Sequence, residues 1–111
     1  MRPPEAESAA WVTVTVVVEI QLRPKTEAAQ AHAAVDDLRA MLKRQPGFIS
    51  EVFLKNLNPV NAPQFIHVSR WASMARWAAW FNSPEFSALN AHGNEHFTLT
   101  AAAFVPADSS P

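Results

Sequence analysis

Between Val12 and Leu22 hydrophobic and polar positions alternate. Val12, Val14, Val16, Val18, Ile20 and Leu22 fall on one face of an extended chain, and Thr13, Thr15, Val17, Glu19 and Gln21 on the other. This period-two pattern of β-branched residues predicts a strand with one apolar and one mixed face. Arg23-Pro24-Lys25 ends it, because Pro24 has no N–H to give to a sheet ladder. The period then changes. Thr26 is the expected N-cap of a helix, and Ala31, Val35, Leu38 and Leu42 recur at steps of three and four, with Ala28, Ala34 and Met41 alongside. His32, Asp36, Arg39 and Lys43 take another face. Lys43 and Arg44 complement the helix dipole, and Gln45-Pro46-Gly47 stops the helix.

Phe48 to Lys55 reads as a second strand, Asn56 to Pro63 as a turn-rich loop, and Gln64 to Trp71 as a third strand. Ser73 is placed to cap a short helix carrying Trp77, Trp80 and Phe81. Asn82-Ser83-Pro84 breaks it, and Ser83-Pro84-Glu85 has the chemistry of a fresh helix start, predicting a second piece from Pro84 to Ala91. Phe97 to Val105 is the final strand. The order β-α-β-β-α-β defines an α+β, ferredoxin-like antiparallel sheet with its helices on one face. The other face carries Thr13, Thr15, Val17 and apolar residues of the last strand, with no helix to cover it. A bare face of this kind predicts a homodimer packed sheet to sheet. The domain spans 11–105, between flexible Pro- and Ala-containing tails at 1–10 and 106–111.

Composition narrows the chemistry. With 111 residues, 49% of them hydrophobic, the chain is sized for one domain with a real core. A formal charge of -1 does not suit a surface that tracks phosphates, so nucleic acid is not an expected partner. Cysteine and tyrosine are absent and there are two glycines, which excludes thiolate chemistry, Cys-based metal sites, phenolic acids and Gly-rich phosphate loops. Trp11 to Leu22 is short and interrupted by polar residues, and nothing approaches the roughly 20 apolar residues that span a bilayer. A soluble, cytoplasmic protein without a membrane partner is expected. Any catalysis must come from His, Trp, Asn, Ser, carboxylates or the substrate itself.

His92-Gly93-Asn94-Glu95-His96 spells an inverted zincin pattern, yet Gly93 weakens the helix that pattern requires, and no metal ligands are assigned. His67 shares a strand face with Phe65, Ser69 and Trp71, the setting of a hydrogen-bonded core or interface histidine. His32 and Asp36 are expected as a solvated pair on the first helix. Glu19 is expected to pair with an arginine, with a base in a dimer cavity as its other reading. Trp71 and Trp77 are expected in the core, and Trp80 either in the core or on a ligand wall.

Val18-Glu19-Ile20-Gln21-Leu22-Arg23-Pro24 entering a helix, Pro46-Gly47-Phe48, and Ser69-Arg70-Trp71-Ala72-Ser73 followed by Trp80 and Asn82-Ser83-Pro84-Glu85-Phe86 together resemble the antibiotic biosynthesis monooxygenase family. The resemblance runs from Val14 to Val105. It implies a dimeric α+β barrel, and its branches include cofactor-free oxidation of quinols or anthrones and oxidative degradation of haem. The haem branch places an Asn on the first strand, a Trp on the second helix and a His further along. Trp80 fits, but Val18 takes the Asn position, Asn90 stands where the His would fall, and the nearest histidine is His92. Haem is therefore disfavoured and no cofactor is expected. In many quinol-type members the position of Trp80 is a His. The implied cavity, walled by Val16, Val18, Ile20, Trp77, Trp80 and Phe86, suits a flat aromatic ligand. The resemblance makes His92 and Trp80 the catalytic candidates and Val18, His67, Trp77, Phe86 and Asn90 the substrate-binding ones. No base is identified. The expected function is a small cofactor-independent monooxygenase acting on a quinol- or anthrone-like substrate. A non-catalytic dimeric ligand-binding or stress-associated domain is the alternative, with haem degradation behind both.

Overall fold

The computed structural model describes residues 12–58, 60 and 63–108. The N-terminal tail expected at 1–10 and the last three residues of the tail at 106–111 lie outside them. The elements are β1 (Val14–Leu22), α1 (Ala28–Leu42), β2 (Phe48–Lys55), β3 (Phe65–Trp71), α2 (Met74–Phe81), α3 (Pro84–Gly93) and β4 (Phe97–Phe104). The strands form one four-stranded antiparallel sheet in the order β2-β3-β1-β4, the ferredoxin-like arrangement. Among the described residues no helix is long and apolar enough to cross a membrane.

The alternation in β1 decides which face is covered. Val14, Val16 and Ile20 are buried against the helices with Phe65, His67, Ser69 and Trp71 of β3, while Glu19 and Gln21 are exposed on the outer face. The core under the helices is divided. One cluster joins Ile20, Phe65 and Phe97 to Ala34 and Val35 of α1. The other joins Val14, Val16 and Trp71 to Trp80 of α2. Val18 packs against both, and the paired strands place small Ala101 beside Val18 and Ser69 beside Val16. Short side chains at mid-sheet leave space between the clusters.

The turn between α1 and β2 needs Gly47. Its φ of 90° is left-handed, and a Cβ there would overlap the Arg76 side chain. Ser73 and Ser83 cap α2 and α3 by accepting from Arg76 N at 3.2 Å and Phe86 N at 3.1 Å. Thr26 does not cap α1. Glu27 holds the cap position without a side-chain bond, and the Thr26 hydroxyl instead donates to the His96 carbonyl at 3.1 Å. Arg23 bonds to Asn94 beside it, so the β1–α1 junction is tied to the turn before β4. α3 runs to Gly93 rather than Ala91, because Gly93 is where the helix meets Phe97; a Cβ there would collide with that ring.

Two pairings expected from the sequence do not form. His32 turns its ring edge to Phe65, at 5.4 Å between centroids, and Asp36 faces Arg39 at 3.9 Å. Glu19 makes no ion pair among the described residues, because its strand neighbours on the outer face are Ile66 and Thr100. That face also carries Val17, Val68 and the largely exposed Val52, Leu54 and Phe104.

Candidate functional site

The gap between the two core clusters is a cavity of about 200 Å³. Val16, Val18, Ile20, Leu99 and Ala101 form its floor, and Val35, Leu38 and Leu42 of α1 form one wall. The opposite wall is aromatic: Trp77, Trp80 and Phe81 of α2 with Phe86 of α3. These rings brace one another. Trp80 meets Phe86 edge-on at 5.4 Å, and Phe81 lies 5.0 Å from both Trp77 and Phe86. Trp80, 4% exposed, is at once part of the core and part of the wall.

Four residues give the cavity polar groups: Arg39, His67, Ser69 and Asn90. Ser69 accepts from the Trp71 indole N–H at 2.9 Å. His67 is held by Glu51, with its Nε2 2.6 Å from Glu51 Oε2. Glu51 lies opposite Ser69 in the β2–β3 pairing, and Phe53 lies opposite His67, so the carboxylate reaches the imidazole diagonally across the ladder. On its other side Glu51 receives Arg39, whose Nη2 lies 2.7 Å and Nε 3.2 Å from Oε1, and Lys43 Nζ at 3.1 Å. The Arg39 guanidinium also stacks over Phe53, 4.5 Å from the ring centroid.

The surrounding hydrogen bonds hold Glu51 ionised. Burial opposes ionisation of Glu51, but hydrogen bonds from Arg39, His67 and Lys43 outweigh it and bring the carboxyl from its ordinary 4.5 to about 2. At neutral pH Glu51 is therefore an acceptor only, and the His67 Nε2 must carry the hydrogen it donates. Among the described residues Nδ1 has no hydrogen-bond partner, yet no polar side-chain atom is both buried and unpartnered. His67 lines the cavity, and in the neutral ring its Nδ1 carries an unshared lone pair.

The structure brings Val18, His67, Trp77, Trp80, Phe86 and Asn90 to one cavity. It does not bring His92 there. That residue is exposed at the end of α3, its ring edge-to-face with His96 at 5.8 Å. Glu51, Arg39 and Lys43 were not legible as site residues. Arg39 and Lys43 sit on the helix face that reads as solvated, and only the inward phase that Glu51 shares with Phe53 hinted at its role.

The fold defines a small ferredoxin-like α+β domain with an aromatic-walled cavity between its sheet and helices. The model of the antibiotic biosynthesis monooxygenase family matches residues 13–92, and the chain belongs to that family. No curated protein matches it. Among solved structures it is similar to SnoaB, a cofactor-independent oxygenase from Streptomyces nogalater, at 17% identity with 90% of this chain and 98% of that one covered (TM-score 0.75). A hydroxynitrile lyase from Passiflora edulis is similar at 13% identity, covering 91% and 99% (TM-score 0.75). A dimeric ferredoxin-like protein of unknown function from Thermobifida fusca is similar at 13%, covering 86% and 92% (TM-score 0.71). One fold thus carries an oxygenase and a lyase, and the reaction has to be argued from the site.

Proposed function

We propose that the protein is a cofactor-independent monooxygenase for a planar aromatic substrate of the anthrone or quinol type. The observation that carries this reading is that His67, whose Nε2 is engaged by Glu51 and whose Nδ1 has no partner among the described residues, lines a mostly aromatic and aliphatic cavity in a chain of this family. The rings of Trp80, Phe81 and Phe86 offer stacking and edge contacts to a flat ligand, and the Asn90 amide a polar anchor.

For an anthrone-like substrate the balance closes without a cofactor. His67 Nδ1 takes a proton from the activated CH₂, and the carbanion passes an electron to O₂. The resulting pair combines into a C–O bond, and the peroxide anion recovers the proton from His67. His67 then removes the second proton from the same carbon as the O–O bond breaks. One oxygen becomes the product carbonyl, and the other leaves as hydroxide and takes that proton to become water. The substrate supplies all four electrons, and the protein supplies orientation, a base and a dry setting.

Haem is the less favoured ligand, because Val18 and Asn90 stand where the haem-degrading branch carries an Asn and a His. The uncovered sheet face supports a homodimer, closing two copies into a barrel. Oxygen uptake with a panel of anthrones and quinols tests the reading. Turnover that His67→Gln abolishes supports it, and binding without oxygen uptake would favour a non-catalytic ligand-binding domain.

A further inference from the structure

We propose that Glu51 is a positioning residue that makes His67 a base for a hydroxyl-bearing aromatic ligand, and that Arg39 gives this end of the cavity the charge to hold the ligand's anion. The proposal rests on the reading that the cavity takes an aromatic substrate, but not on the reaction with oxygen.

Four contacts carry it. Glu51 Oε2 takes the Nε2–H of His67, which leaves Nδ1 of this cavity-lining residue as the ring nitrogen without a partner among the described residues. Glu51 is itself fixed by the two-point contact from Arg39 and by Lys43, so neither carboxylate nor imidazole must reorganise when a proton moves. Arg39 is held in turn by the face of Phe53. Charge is in excess on the positive side. Arg39 and the half-exposed Lys43 flank one partly buried carboxylate, and the other nearby acid, Asp36, is largely exposed at 3.9 Å from Arg39. Arg39 and His67 are the only titratable side chains lining the cavity among the described residues, so α2, α3, β1 and β4 oppose this field with no charge of their own.

A neutral phenol entering with its O–H toward Nδ1 would give its proton to that nitrogen. The products are a phenolate in the cavity and an imidazolium whose Nε2–H stays on Glu51. No other bond changes. In an apolar cavity the ion pair so formed is screened far less than in water.

The test uses ¹⁵N NMR of the wild-type imidazoles and titrations with 2-naphthol and naphthalene. The wild type should show His67 with its hydrogen on Nε2. It should also bind 2-naphthol with the ionisation equilibrium moved toward naphtholate by about tenfold or more. Glu51→Gln should keep naphthalene affinity within about threefold, showing an intact cavity, while losing the naphtholate shift and the single tautomer. With a turned-over substrate the same variant should lower kcat and leave KM nearly unchanged. Hydrogen on Nδ1 in the wild type, or an equal naphtholate shift in wild type and Glu51→Gln, would overturn the proposal. If tautomer and shift are found but no oxygen is consumed, the oxygenase reading fails and this one stands.

Discussion

Trp71 and Trp80 are both buried side chains of one cluster, yet they face different surroundings. Trp71 is enclosed by protein, with Phe48 edge-on at 5.8 Å, whereas Trp80 borders the cavity. Trp71→Ala should therefore cost about 3–5 kcal/mol, and Trp80→Ala about 2–3 kcal/mol, by chemical denaturation. An aromatic ligand should quench tryptophan fluorescence in the wild type and bind Trp80→Ala more weakly. Equal losses of stability without ligand-dependent quenching would contradict the cavity wall. Glu51 gives a prediction about acid. Its carboxyl value is depressed from 4.5 to about 2, so its stabilisation is complete above 4.5 and disappears as pH falls from there through 2. Carboxyl NMR should find Glu51 titrating far below the exposed acids, and Glu51→Gln should lack this part of the acid-induced loss. Titration near 4.5 would mean that the Arg39 and His67 bonds are not maintained in solution.

The elements follow from local chemistry where that chemistry is used locally. Ser83 bonds the first turn of α3 and Pro84 follows it, so Ser83→Ala should destabilise by about 1 kcal/mol in thermal unfolding. No measurable change would mean that packing alone starts that helix. The period of β1, the stop at Pro24 and the two serine caps were all legible in the sequence, because each depends on neighbours a few residues away. Thr26 misled because its hydroxyl is spent on the His96 carbonyl, a contact made by tertiary packing. Gly93 misled for the same reason, since its value lies in the approach of Phe97 rather than in helix propensity. The Arg39–Glu51–His67 chain was hidden more deeply. It requires the β2–β3 register and the placement of α1 over both strands, neither of which any single segment encodes. His92 drew attention by family spacing, but the final turn of α3 directs it outside the cavity.

At the scale of the whole molecule, one sheet face is covered by helices over a divided core and the other is bare. The bare face, with Val52, Leu54 and Phe104 about half exposed, predicts a dimer of about twice 12.2 kDa by light scattering at micromolar concentration. A mass of 12.2 kDa would argue against the barrel. The divided core is the more consequential feature. Small side chains at mid-sheet open the cavity, aromatic rings wall it, and His67, held by Glu51, lines it. Single turnover of an anthrone under ¹⁸O₂ by chelator-treated protein tests this account most directly. One ¹⁸O atom should appear in the product carbonyl and the other in water, with incorporation lost in His67→Gln. Product free of ¹⁸O, or unchanged incorporation in His67→Gln, would contradict it.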